Sequence, residues 1–153
     1  MKWKQPPIIK IYEALGAIAD GWVKVVGNTA EVYSSSGNKF YDVTYNPVKK
    51  TIMANDNGSY WKGYLGYPAI VFLMKARVVS YNKKVSDLLK DFAWKDINQK
   101  FKNNFDKTLI HILSSKSERE KKMLIDFTTK VESEIKALKL GYFGKRILPP
   151  EGY

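Results

Sequence analysis

KFYDVTYNPVKKTIMANDNGSYWKGYLGYPAIVFLM, residues 39–74, is the stretch that decides the fold, because its pattern changes twice. Residues 39–46 and 50–54 are rich in β-branched and aromatic residues and flank an Asn-Pro turn, so they predict two antiparallel strands. The NDNGS segment, residues 55–59, then interrupts the pattern with polar side chains. The dense apolar run of residues 68–79 begins with proline and predicts a buried helix packed on the sheet.

The residues before this stretch extend the sheet and add a helix. Residues 22–26 and 29–34 are strand-like and are separated from each other and from residue 39 by Gly-Asn and Ser-Ser-Gly-Asn turns. Together with the later strands they predict an antiparallel meander of three to four strands. Residues 8–18 place apolar side chains at spacings of three and four after two prolines, which predicts an N-terminal helix.

The C-terminal half is mainly helical by its pattern. Residues 86–94 and 94–101 predict two short helices, the first capped by Ser86 and the second led by Asp96. Residues 107–114 fit either a strand or a helix, since they alternate in polarity over a short length. Ser117 and Glu120 form a capping box that opens a long amphipathic helix ending before Gly141, and residues 142–153 predict an irregular tail.

These elements predict an α+β fold in a single domain, residues 1–153. Residues 7–80 form its α/β part and residues 81–153 its mainly helical part. The chain contains no cysteine, which excludes disulfides, thiolate nucleophiles and cysteine-ligated zinc or iron–sulfur sites. The longest uncharged run is too short to cross a bilayer and the N-terminus lacks a signal-peptide core, so we expect a cytoplasmic protein.

The charge balance points to a polyanionic partner. Lysine and arginine number 26 against 15 acidic residues, a formal net charge of +11. Such an excess attracts phosphate polymers through long-range electrostatic steering. A lysine-rich surface that only keeps the protein in solution is the alternative interpretation.

The NDNGS segment has the chemistry of a hydrogen-bonded turn. Asn55, Asp56, Asn57 and Ser59 are each able to accept hydrogen bonds from nearby backbone N–H groups. Gly58 is expected to take a positive φ angle at which a larger residue would clash. We therefore expect the segment to be held by its own side chains.

The layout of residues 32–74 resembles a SWIM-type zinc-finger segment, in which two strands lead to a Cys-x-Cys knuckle and a Cys-x-His pair opens an apolar helix. The resemblance places Met53 and Asn55 at the first two ligand positions. Gly66 and Pro68, or Leu65 and Tyr67, fall at the other two. None of these residues replaces a thiolate or an imidazole, so we predict no metal and no cofactor. The chain also resembles small uncharacterised proteins of thermophilic archaea, some of whose relatives keep the zinc ligands.

The aromatic segment, residues 60–67, supplies the candidate binding residues. Aromatic rings interleaved with lysine are typical of surfaces on which single-stranded bases stack. SWIM-like segments bind DNA or protein, which agrees with this interpretation. We predict a non-enzymatic nucleic-acid-binding protein that favours single-stranded DNA or RNA over duplex. The predicted contact residues are Lys49, Lys50, Tyr60, Trp61, Lys62 and Tyr64, with the first two lysines expected beside the rings on the neighbouring turn.

Two other functions remain open at this stage. The aromatic segment is also suited to anchoring a partner protein. A metal-dependent nuclease would need several carboxylates in one cleft, with Asp42, Asp56, Asp87, Asp91 and Asp96 as candidates. Asp87 and Asp91 are expected to share a helix face. The single histidine, His111, has apolar neighbours and is expected in the core or half-buried, and no catalytic residue is predicted.

Overall fold

The computed structural model describes residues 1–37 and 39–151, and over this range the predicted α+β class is confirmed. Asn38 of the predicted Ser-Ser-Gly-Asn turn and the last two residues of the predicted tail lie outside it. The elements are α1 Ile9–Ala19, β1 Val23–Val26, β2 Thr29–Tyr33, β3 Phe40–Asn46, β4 Thr51–Ala54, a π-helical turn Gly58–Lys62, α2 Tyr67–Lys75, α3 Lys83–Asp87, α4 Trp94–Lys100, α5 Phe105–Ser114, α6 Glu118–Leu138 and β5 Gly141–Tyr142.

The sheet has five strands in the order β1-β2-β3-β4-β5. The first four form the predicted antiparallel meander, with four strands rather than three. β5 adds to β4 in parallel, with Thr51 opposite Gly141 and Ile52 opposite Tyr142. The prediction that the tail is irregular from residue 142 is therefore wrong for Tyr142. A strand of two residues is too short to show an alternating pattern in the sequence. The place of β5 in the sheet depends on where α6 ends, which is at Leu138.

The core is centred on α2, which packs on strands β1 to β4 of the sheet and is also in contact with α1. α2 has proline in its first turn, and its central residues are buried on every side, as expected for a helix enclosed by sheet and helices. The apolar run of residues 68–79 predicted a longer helix, but α2 ends at Lys75. Two residues later Arg77 takes a left-handed φ of 60°. This packing fixes the orientation of the loop that leads into α2.

The helical half differs from the sequence predictions in its details. α3 is capped by Asn82, whose side chain accepts from Val85 N, and not by Ser86. Ser86 is buried and its hydroxyl donates to Leu15 O at 2.6 Å. α4 begins at Trp94 with Asp96 in its first turn, as predicted.

Residues 107–114 belong to helix α5, so of the two alternatives the strand is wrong. The Asn104 side chain caps this helix by accepting from Lys107 N at 3.2 Å. Thr108 and Ile112, four residues apart, are its buried positions. The capping box of Ser117 and Glu120 at the start of α6 is confirmed. No helix within the described ranges is both long enough and apolar enough to cross a membrane.

Candidate functional site

The NDNGS segment is closed by a buried hydrogen-bond network. The Asp56 carboxylate, in a residue that is 5% exposed, accepts from the Ser59 hydroxyl at 2.6 Å and from Ser59 N at 3.2 Å. The Ser59 hydroxyl oxygen in turn accepts from Gly66 N, which opens α2, at 3.4 Å. Asn55 Oδ1 accepts from Asp42 N on β3 at 2.8 Å. Three of the four predicted side chains therefore accept backbone N–H bonds.

The other two residues of the segment differ from expectation. Asn57 stands at the N-terminus of the π-helical turn, where its side chain makes no capping hydrogen bond. The left-handed conformation lies at Gly63, with a φ of 74°, and not at Gly58. Gly58 is small for another reason, since the ring of Tyr64 occupies the space that a Cβ atom would need. The left-handed residue of this loop is therefore Gly63, which directly follows the π-helical turn.

Helix α1 contributes a buried ion pair, which lines the same cleft as the NDNGS segment. Lys10 Nζ is 3.1 Å from Glu13 Oε2, and the two side chains are 14% and 4% exposed. Asn98 of α4 donates to the other oxygen, Glu13 Oε1, at 2.6 Å. Lys10 Nζ also lies 4.8 Å above the Phe105 ring. The carboxylate is thus held at both oxygens by donors from two helices.

The electrostatics of the site follow from burial and from this pair. Burial raises the pKa of Asp56 above its usual value, although the bonds from Ser59 and the charge of Lys10 oppose the shift. Burial alone would lower the pKa of Lys10, but Glu13, Tyr64 and Asp56 outweigh it and the pKa is raised. Burial also raises the pKa of Tyr64, against the attraction of Lys10. Lys10 is therefore a permanent cation at neutral pH.

These groups line one side of a cleft of about 740 Å³, a volume within the range of about 300–1,000 Å³ typical of small-ligand sites. The NDNGS segment, α1 and α4 contribute its polar surface. The side chain of Ser35 helps to close the rim by accepting from Lys95 N at 2.9 Å. Rings from five parts of the chain form the aromatic walls: Trp22, Tyr41, Trp61, Tyr67, Trp94 and Phe105.

Four of the six predicted contact residues lie together at the mouth of this cleft or beside it. Trp61 is 64% exposed, and its ring meets that of Tyr60 in a T-shaped contact with centroids 4.7 Å apart. Lys62 is exposed and, like Trp61, lines the cleft. Tyr64 is half-buried and faces Lys10. Arg146 of the tail, which was not predicted, donates to Tyr60 O at 2.9 Å.

The other two predicted contact residues lie elsewhere. Lys49 and Lys50 are exposed in the turn before β4, whereas the aromatic segment follows its far end. Four strand residues separate the two places, which is about 13 Å at 3.3 Å per residue. The expectation that these lysines stand beside the aromatic rings is therefore wrong, because the strand between them is extended.

The structure does not bring together the carboxylates of the nuclease hypothesis. Asp42, Asp87, Asp91 and Asp96 are exposed, whereas Asp56 is buried. Asp87 is the last residue of α3 and Asp91 follows in a turn with a φ of 67°, so the two do not share a helix face. Residues 1–37 and 39–151 contain no group of three or more His, Asp or Glu side chains suited to a metal.

The histidine also differs from expectation. His111 lies on the exposed face of α5, with its ring 5.5 Å from that of Phe101. It is therefore neither a core residue nor part of the cleft.

The charged floor of the cleft, formed by Lys10, Glu13 and Asn98, was not predicted, although the sequence of α1 contains a signal. In IKIYEALGAIA, residues 9–19, Lys10 and Glu13 are the only charged residues, and they stand three apart. A helix that is apolar on nearly all sides is buried, so its charged residues must be paired. Asn98 and Trp94 have no comparable signal, because α4 reaches α1 only through tertiary packing.

Comparison with known proteins concerns nearly the whole chain. Residues 3–141 match the family described as Uncharacterised conserved protein UCP014422. The chain belongs to this family. The range that matches the family contains every residue that lines the cleft. No curated protein and no solved structure matches the chain.

Proposed function

We propose that this protein is cytoplasmic, binds single-stranded nucleic acid and catalyses no reaction. The observation that carries the proposal is the Trp61 ring, which is 64% exposed beside Lys62 at the mouth of an aromatic cleft. Stacking of one base on such a ring contributes about 1–3 kcal/mol. Because Tyr60 supports Trp61 at its edge, the ring loses little freedom when a base binds.

The charge of the chain supports the same function. The formal net charge of +11 favours association with a phosphate backbone. Lys62 is exposed and lines the cleft, where it is suited to meet a phosphate beside a stacked base. Single strands are favoured over duplex, because a base must be unstacked before it reaches an aromatic ring.

The SWIM-like layout of residues 32–74 agrees with this proposal. In our interpretation the hydrogen bonds among Asp56, Ser59 and Gly66 hold the loop at the position where SWIM-type segments have their zinc knuckle. This network and the packing of Tyr64 against Gly58 present the aromatic segment without a metal.

Fluorescence anisotropy of labelled oligonucleotides tests the proposal. Single-stranded DNA, RNA and duplex DNA are titrated at about 50 and 200 mM salt, a range over which several phosphate contacts change affinity steeply. We expect single strands to bind, and salt to weaken them. Trp61→Ala is expected to weaken binding about 10-fold, the equivalent of one lost stacking contact. Lys62→Ala is expected to reduce the salt dependence.

Matched controls locate the interface. Phe40→Ala removes another exposed aromatic ring, 41% exposed, that does not line the cleft, and is expected to leave binding unchanged. Lys49→Ala tests whether the bound nucleic acid extends along β4 as far as the turn that precedes this strand. Lys84→Ala removes an exposed lysine on α3. Absence of binding at low salt would overturn the proposal. It would direct attention to a partner protein anchored on Trp61.

A further inference from the structure

The cleft extends further than a surface stacking platform requires. Trp61 is 64% exposed, whereas Glu13 of α1 and Trp94 of α4, which line the same cavity, are buried. A strand lying only on Trp61 and Tyr60 would leave this inner space unused. Its walls are aromatic and its floor is charged, a combination that suits a flat ring with polar edges.

The floor offers a fixed acceptor beside a fixed donor. Glu13 is held at one oxygen by Asn98 at 2.6 Å and at the other by Lys10 at 3.1 Å. Each carboxylate oxygen accepts more than one hydrogen bond, and the Lys10 ammonium has three protons, so both groups retain capacity for a ligand. Because donors on two helices fix the carboxylate, it presents one orientation.

The charged floor selects against an apolar occupant. Filling the cleft with a purely apolar molecule would remove water from Lys10 and Glu13 without replacing its hydrogen bonds. An exocyclic amino group replaces them, since it donates to a carboxylate while an adjacent ring nitrogen or carbonyl accepts from a lysine. Glutamate accepting from the amino group of a base is an established pairing in nucleic-acid recognition.

We propose that the cleft receives one nucleobase of the bound strand and selects bases with an exocyclic amino group. Glu13 accepts from that amino group, Lys10 donates to the neighbouring acceptor, and the aromatic walls enclose the ring. Adenine, cytosine and guanine carry such a group, whereas uracil and thymine have no amino group and offer only the single ring N3–H as a donor on that edge. The inference rests on the proposed single-strand binding and adds its base preference.

Binding to uridine oligonucleotides of about nine residues, within the footprint of a small single-strand site, tests the inference. One central uridine is replaced by adenosine, cytidine or guanosine, and a further strand carries purine riboside, which is adenosine without its amino group. We expect the best of the three bases to strengthen binding at least about 10-fold over uridine. Purine riboside is expected to lose the advantage of adenosine.

Two variants separate base selection from general binding. Glu13→Gln and Asn98→Ala are expected to remove the gain from the central base while oligouridine binding persists. Trp61→Ala is expected to weaken all the strands by a similar factor. Glu134→Gln is the matched control, because that glutamate bonds Ser80 in a different groove. Circular dichroism and thermal unfolding establish that each variant is folded.

The outcomes distinguish the two proposals. Equal binding of all the strands by the folded wild-type protein would overturn base selection and leave single-strand binding in place. If no strand binds, the proposed function fails. Titration with AMP, CMP and GMP, followed by tryptophan fluorescence, then tests whether the cleft binds a nucleobase in the absence of strand binding. Binding of a mononucleotide that Glu13→Gln weakens would support the assignment, and absence of binding would overturn it.

Discussion

The two ends of β4 use the same side-chain chemistry in opposite surroundings. Before the strand, Asn46 Oδ1 accepts from Val48 N and Lys49 N, both at 3.0 Å, in an exposed turn. After it, Asp56 accepts from the backbone and the hydroxyl of Ser59, but this network is buried and continues to α2. One end is a local turn, and the other connects the sheet, a helix and the floor of a cleft.

The difference shows that burial determines what such a bond contributes. In the exposed turn, water replaces any hydrogen bond that is lost, so the net contribution is small. Asp56 is only 5% exposed, so little water is available to replace a lost bond, and an unpaired group there bears most of its desolvation cost. The buried end therefore holds a fixed shape, which a binding loop requires, and it should be far more sensitive to substitution.

The largest expected effect is that of Gly66→Ala, which tests how tightly the buried end is packed. A Cβ atom there would overlap the Asp56 carboxylate. Since Gly66 has extended backbone angles that alanine adopts, the cost is steric. We expect a loss of about 3 kcal/mol in the free energy of unfolding, measured by urea denaturation. A loss below about 1 kcal/mol would mean that the segment relaxes and is not rigid.

Ser59→Ala removes the central hydroxyl of the buried network. Asp56 Oδ1 loses its bond of 2.6 Å, and Gly66 N loses its acceptor. We expect a loss of about 2 kcal/mol in the free energy of unfolding. Ser114→Ala is the control, because this hydroxyl bonds His111 O on an exposed surface, and a change within about 0.5 kcal/mol is expected. Equal losses in the two variants would refute the role given to burial.

Asp56→Asn tests the same contrast through pH. Because the pKa of Asp56 is raised above its usual 3.8, the folded state keeps the proton at pH values between the unfolded and the folded pKa, where the unfolded state has released it. Stability should therefore fall as pH rises from the unfolded pKa through the folded one. The slope is at most about 1.4 kcal/mol per pH unit for one group.

Asparagine does not titrate, so the stability of the variant relative to wild type should increase with pH over this window. Denaturation at a series of pH values measures the difference between the two curves. Asp20, whose pKa is also raised by burial, titrates in both proteins and cancels. Parallel curves would show that Asp56 titrates alike in both states.

Asn46→Ala is expected to have the smallest effect. It removes both hydrogen bonds of the exposed turn, yet the free energy of unfolding should fall by only about 0.5–1 kcal/mol. Thermal unfolding beside Ser59→Ala provides the direct comparison. A loss as large as that of Ser59→Ala would remove the distinction between the two ends of β4.

Local sequence signals predicted the parts of the fold that are locally determined. Proline in the first turn of α2 and the capping box of α6 act within one helical turn, so they can be read from a few residues. The interpretation of residues 107–114 remained ambiguous because the window began after Asn104, the residue that caps α5. β5 was missed since its pairing depends on a strand some 90 residues earlier in the chain.

The candidate site divides in the same way. The aromatic segment is contiguous in sequence, so it was recognised as a candidate binding surface. The NDNGS segment was predicted to be held by hydrogen bonds of its own side chains. The floor is assembled from Glu13 and Asn98, which are 85 residues apart, so no local pattern predicts their contact. Lys49 and Lys50 were placed wrongly because closeness in sequence does not give proximity across an extended strand.

The short first strand of the sheet has a consequence for self-association. β1 is an edge of the sheet, and an uncovered edge is a template on which another copy of a chain adds a strand. Here the edge is only four residues long, is followed by Gly27 with a φ of 57°, and carries the exposed Lys24. A second copy docking on it would gain a very short ladder and would bring like charges together. We therefore expect this edge to resist edge-to-edge aggregation.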